Sequence, residues 1–197
     1  MSREIILAEI IRNQPDHMPL PDMQAFDKLD ADGSLQKFTE VLSAIGGRAI
    51  QVKNYTEIEQ IISAQYGETT RIITPVTELT EFYAPEKLDV LSIHDYQDVA
   101  LTVVNGHFAV AENGGIWLTE DLVGHRVLPF ISEHVAIIIK ARDIVPTMHK
   151  AYEIIADSDY GFGVFIAGPS KTADIEQSLV IGAHGPKSMT AFVLGID

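Results

Sequence analysis

The densest set of residues able to do chemistry lies near the carboxyl end, in Gly168-Pro-Ser-Lys-Thr-Ala-Asp-Ile-Glu176 and Gly182-Ala-His-Gly-Pro-Lys187. The first stretch directly follows an apolar, strand-like run ending near Ala167. Crevices at the carboxyl ends of sheet strands are the usual ligand sites in open α/β folds. A turn carrying Ser170, Lys171 and Thr172 ahead of a helix offers hydroxyls, backbone N–H groups and one cation, the parts of an anion site. Lys187 adds a second cation and Asp174 a carboxylate. His184, in its Gly/Pro-rich segment, is the one histidine that reads as a candidate catalytic residue. The alternative reading is a well-capped turn with Asp174 as a surface acid.

A second candidate is Ala109-Val-Ala-Glu-Asn-Gly-Gly115. Glu112 ends a β-rich run and precedes a flexible turn. A carboxylate there can act as nucleophile or general base, and Gly114 and Gly115 let backbone approach a ligand closely. The bland alternative is an acid that holds backbone N–H groups in a tight turn. On the functional reading, Glu112 is expected to share one pocket with Lys171 and His184.

Other chemistries lack their residues. The remaining histidines, His17, His94, His107, His125, His134 and His149, are scattered without HExxH or other metal spacing, so no metal site is expected. There is no GxSxG elbow and no Walker A loop. Gly161-Phe-Gly163 precedes its strand, so it is not a dinucleotide fingerprint. Trp117 reads as a core residue. The chain has no cysteine, which excludes disulfides, thiolate nucleophiles and cysteine-held iron–sulfur clusters on this chain. No redox cofactor is expected on it. A formal net charge of −14 argues against nucleic acid as a partner, because the phosphate backbone repels it.

The elements that must position these residues follow from periodicity. Residues 1–13 read as a short helix with Ile6 and Ile10 on one side. Residues 14–33, with Pro15, Pro19, Pro21 and several Asp, read as a loop or arm. Leu35, Phe38, Leu42 and Ile45 have helical spacing, stopped by Gly46-Gly47. Strands are expected at Arg48–Val52, Arg71–Thr74 and Val90–Ile93. A helix is expected over 56–66 behind a Thr56/Glu59 capping box, and a helical turn after Pro75. The runs 101–112 and 115–119 read as strands joined by tight turns. Val135–Ile139 and Phe162–Ala167 read as buried strands. Helical spacing at Val145, Met148, Tyr152 and Ile155 separates them, and Met189–Leu194 would close the sheet. This is an α/β domain with a mostly parallel sheet flanked by helices, over residues 34–197, preceded by a helix and arm over 1–33. Met1-Ser-Arg-Glu4 does not read as a signal peptide. No apolar run reaches the roughly 18–20 residues that span a bilayer. The expected location is therefore the cytoplasm, without membrane insertion.

Residues 168–189, GPSKTADIEQSLVIGAHGPKSM, resemble the C-terminal signature of the LutC/YkgG group of LUD-domain (DUF162) proteins, which runs approximately GPSRTADIE and then Gly–His-Gly-Pro-Arg. Ala111-Glu-Asn-Gly-Gly115 is similar to the family's Ala-Glu-Thr-Gly-Thr turn. The matches occur in the family's order, and the resemblance covers about residues 35–197. It implies a fold like that of the NagB/RpiA/CoA-transferase-like proteins. It also implies a role in oxidising L-lactate to pyruvate beside partner chains that carry iron–sulfur clusters. Lys171 and Lys187 stand where the family has Arg, keeping charge but losing the planar fork. Asn113 and Gly115 replace two threonines. The expected function is thus a cysteine-free subunit or accessory protein of a lactate-oxidising system that binds a small anionic ligand. The alternatives are an independent CoA-transferase-like or sugar-phosphate-isomerase-like enzyme using Glu112, and an assembly module without a working pocket.

Overall fold

The computed structural model describes residues 2–16, 18, 19, 34–67, 70–83, 92–156, 158–172 and 180–195. The chain divides into two units, Met1–Asp30 and Ala31–Asp197. In the first, helix α1 spans Arg3–Arg12 and none of its residues is buried. Ile6 and Ile10 share a face, as their spacing requires, but both are exposed. Most of the Pro/Asp-rich arm, residues 20–33 together with His17, falls outside the described residues.

The second unit opens with α2, Leu35–Ala44, whose Ser34 hydroxyl accepts the Lys37 N–H. Such a cap is worth about 1 kcal/mol. Phe38 and Leu42 point inward, and the Gly47 N–H closes the helix onto the Leu42 carbonyl at 2.9 Å. Strand β1 is Arg48–Val52 and helix α3 is Tyr55–Tyr66. The expected Thr56/Glu59 box is not used. Asn54, one residue before the helix, accepts the Glu57 N–H, and the Glu57 carboxylate returns to the Lys53 N–H at 2.8 Å. Only a residue at the cap position has the extended backbone that aims its side chain at the third helical N–H.

The remaining strands are β2 (Ile72–Ile73), β3 (Leu101–Asn105), β4 (Phe108–Val110), β5 (Ile116–Thr119), β6 (His134–Lys140), β7 (Ile144–Val145), β8 (Gly163–Ile166) and β9 (Ser188–Leu194), with α4 at Met148–Ile155. A 3₁₀ turn, Thr77–Leu79, follows Pro75. The described part of the expected Val90–Ile93 strand is not a strand. Residues 90 and 91 lie outside the described residues, and Ile93 opens a 3₁₀ turn, Ile93–Tyr96, closed by a Ser92/Asp95 capping box.

Two sheets result. The larger has the order β1-β9-β6-β3-β2, and every neighbouring pair is parallel. The smaller has the order β7-β4-β5-β8, with antiparallel β4–β5 and β5–β8 pairs. This changes three expectations. Strand β9 does not close the sheet but lies inside it, between β1 and β6. The β-rich middle is divided, since β3 joins the large sheet while β4 and β5 form a hairpin in the small one. Strand β8 belongs to the small sheet too.

Alternation along the large sheet feeds two cores. Val135, Ile137, Ile139, Ala191 and Val193 pack with α2 and with the inner face of the small sheet, through Ala109, Ile116 and Leu118. Ala136, Ile138, Phe192 and Leu194 face the other way, onto Ile58 and Ile62 of α3. A sheet covered on both faces explains why β6 and β9 read as continuous apolar runs. Truncating a side chain such as Ile137, which is fully buried, costs about 2–5 kcal/mol. The outer face of the small sheet, through Phe108, Val110 and Trp117, is covered by Ala151 and Ile155 of α4.

Candidate functional site

The loop after β8 is a small ladder rather than an open anion cradle. The Ser170 N–H donates to the Pro186 carbonyl at 2.9 Å, and the Gly182 N–H donates to the Ser170 carbonyl at 2.9 Å. The Thr172 N–H donates to the Val180 carbonyl, and the Thr172 hydroxyl both donates to that carbonyl and accepts the Val180 N–H. The N–H groups of Ser170 and Thr172 and the Thr172 hydroxyl are therefore engaged. Lys171 Nζ donates to the Ile45 carbonyl at the end of α2. Lys187 Nζ is paired with Glu133, which holds that exposed carboxyl below its usual pKa. Asp174 and the helix expected after Thr172 lie outside the described residues.

Ser170, Lys171 and His184 do border one hollow, of about 280 Å³. Glu112 is not among the residues that line it. Its Oε2 accepts the Met148 N–H at 2.8 Å, at the first turn of α4, where a carboxylate meets unpaired N–H groups and the positive end of the helix dipole. A Cβ on Gly114, which has φ +72°, would lie 3.2 Å from Leu42 Cα, so the glycine serves close packing against α2. The Gly115 N–H donates to Asn113 Oδ1 at 2.9 Å. The two sequence motifs thus meet at the end of α2, where Gly114 packs and Lys171 bonds. The link is structural, and the hollow that Ser170, Lys171 and His184 border is not lined by Glu112.

The carboxyl ends of the parallel strands lie elsewhere, because β8 belongs to the other sheet. There, Asn105 ends β3, Lys140 ends β6 and Leu194 ends β9, around a crevice of about 280 Å³. Tyr55, from the first turn of α3, and Glu78 both border it. Burial, and then Glu78, push the Tyr55 phenol above its ordinary pKa. Asp143 borders it as well, near Arg142 at 3.8 Å. Lys140 is exposed and makes no ion pair within 4 Å among the described residues.

His107 stands between this crevice and a second cavity of about 450 Å³. Its Nε2 lies 2.5 Å from the Thr119 hydroxyl, which in turn donates to Asp121. A carboxylate only accepts, so the Thr119 proton goes to Asp121 and the imidazole donates through Nε2–H. Reading the histidines as scattered missed this arrangement. The signal was positional: His107 comes two residues after the end of one strand, and Thr119 ends another. Lys140, directly after the Val135–Ile139 run, was legible in the same way.

A third titratable group sits at the opposite, amino ends of the strands. His134 Nδ1 is 2.7 Å from the Ser188 hydroxyl, and burial lowers the imidazole's pKa below its usual value. Among the described residues, no group of His, Asp and Glu is arranged to hold a metal ion.

The architecture is that of an α/β protein whose mostly parallel sheet, covered on both faces, opens a polar crevice at its strand ends. Residues 84–194 match the LUD domain, more than half of the chain, and the chain belongs to that family. It is 28% identical over 156 residues to a Lactate utilization protein C of Anoxybacillus flavithermus, covering 79% of this chain and 67% of that one. It is 33% identical over 96 residues to a protein of the same name from Bacillus pumilus, covering 46% of this chain and 40% of that one. To the Bacillus subtilis protein of that name it is 36% identical over 96 residues, covering 45% and 39%. The chain thus spans between about two-fifths and two-thirds of these curated relatives. A crystal structure of a DUF162 family protein from Deinococcus radiodurans superimposes with a TM-score of 0.60 at 19% identity, over 82% of this chain and 96% of that one, which speaks for the fold.

Proposed function

We propose that the chain serves lactate utilization and holds a small carboxylate in the crevice at the ends of β3, β6 and β9. The observation that carries the role is its membership of the LUD family beside relatives called Lactate utilization protein C. The geometry supports the ligand class. Lys140 is a cation with no competing ion pair among the described residues, and the Asn105 amide adds hydrogen-bonding capacity beside it. Tyr55 and Glu78 line the same crevice. A hydroxy acid bound there lies beside His107, which lines the same crevice. The chain has no cysteine, so iron–sulfur clusters of such a system belong to partner chains. No helix of the described residues is long and apolar enough to cross a membrane.

The role is tested by deleting the gene in its host and growing the strain on L-lactate as sole carbon source. Lost growth on L-lactate with normal growth on pyruvate supports the proposal. Equal growth on both, in a host without a second copy, contradicts it.

A further inference from the structure

We propose that the cavity on the far side of His107 binds a planar nitrogen heterocycle that carries amino or amide N–H donors and is neutral or cationic. This is independent of the lactate reading, which concerns the crevice beside Lys140. At about 450 Å³ the cavity has the size of small-molecule sites. Its aromatic wall is fixed without help from a ligand. Trp117 has Tyr160 edge-on at 5.4 Å and 80°, and Phe165 against it at 4.7 Å. Gly163 makes this possible: a Cβ there would lie 2.3 Å from Trp117 Cη2. The neighbouring Gly161 N–H is tied to Glu120 at 3.1 Å, and Arg126 neutralises that same carboxylate. The segment bearing Tyr160 is therefore anchored directly after that residue.

The polar groups of the cavity set the charge it accepts. Asp121 and Asp159 border it with His107, and no Lys or Arg does so among the described residues. The Thr119 hydroxyl, in a residue only 6% exposed, couples Asp121 to His107 and fixes the orientation of both. Aromatic faces and carboxylates together attract cations and N–H donors and repel anions. The crevice beyond His107 sets Lys140 beside Glu78 and Asp143, so the two compartments that meet at the imidazole differ in that one carries a cation.

Trp117 is the chain's one tryptophan and reports on the cavity directly. The probe is 1-methylnicotinamide, followed by tryptophan fluorescence and by calorimetry, with benzoate as an anionic ring of similar size. The expected result is saturable quenching with matching heat for 1-methylnicotinamide and no saturation for benzoate. Asp159→Asn, at an exposed position, should weaken binding by up to about fivefold. Linear quenching without saturation, equal binding of benzoate, or unchanged affinity in Asp159→Asn would overturn the proposal. None of these results bears on growth on L-lactate.

Discussion

The Lys171 ammonium donates to the carbonyl oxygen of Ile45, the residue that closes α2. A cation at a helix carboxyl end answers unpaired carbonyls and the helix dipole. Lys171 is therefore a clamp between the loop after β8 and the start of the domain. Lys171→Ala should lower unfolding stability by about 0.3–1 kcal/mol, read by urea denaturation. Phosphate affinity and its salt dependence should not change, and a clear loss of either would restore Lys171 as an anion ligand.

Glu112 makes the corresponding contact at the other helix end, on the Met148 N–H. Glu112→Ala should cost about 0.5–2 kcal/mol, the range for losing such a cap. Glu112→Gln keeps an acceptor oxygen and should recover most of that loss. A variant of full stability that no longer turns over substrate would instead mark the carboxylate as chemical.

The pH dependence of stability has a signature at His134. Its folded pKa is depressed, by burial first, while the nearby Glu133 opposes the shift and Lys187 reinforces it. The unfolded chain therefore binds the proton more readily than the folded one. Stability from this site is complete above the unfolded pKa of about 6.5 and is lost as pH falls below it. His134→Gln should flatten the chemical-denaturation midpoint between about pH 7 and pH 5. An unchanged slope would place the effect on other groups.

How much of this was legible in the sequence depends on how far apart the partners lie. Periodicity found α2, β1, β6 and β9, because Phe38 and Leu42 or Val135 to Ile139 carry their own pattern. It did not place β9 between β1 and β6, because strand order depends on pairings such as Ile137 with Ala191, 54 positions apart, which no local pattern encodes. The assignment of β8 to the small sheet had the same cause and carried the larger consequence. It took the loop of Ser170 and Lys171 away from the parallel strand ends and left that position to Asn105 and Lys140. The family was readable from the order of its motifs, whereas the roles of those motifs were not. Glu112 and Lys171 look chemical as residue types, and only their partners, Met148 and Ile45, show them holding helix ends.

The most direct test of the account is calorimetric titration of L-lactate into the purified chain, wild type against Lys140→Ala. Lys140 is exposed at the end of β6, so the variant should fold normally. Its circular dichroism and denaturation midpoint check that. The account predicts saturable binding to the wild type and an affinity at least about tenfold lower for Lys140→Ala, the scale of one charge-assisted contact. Absent binding to the wild type, or equal affinity in the two proteins, would contradict it.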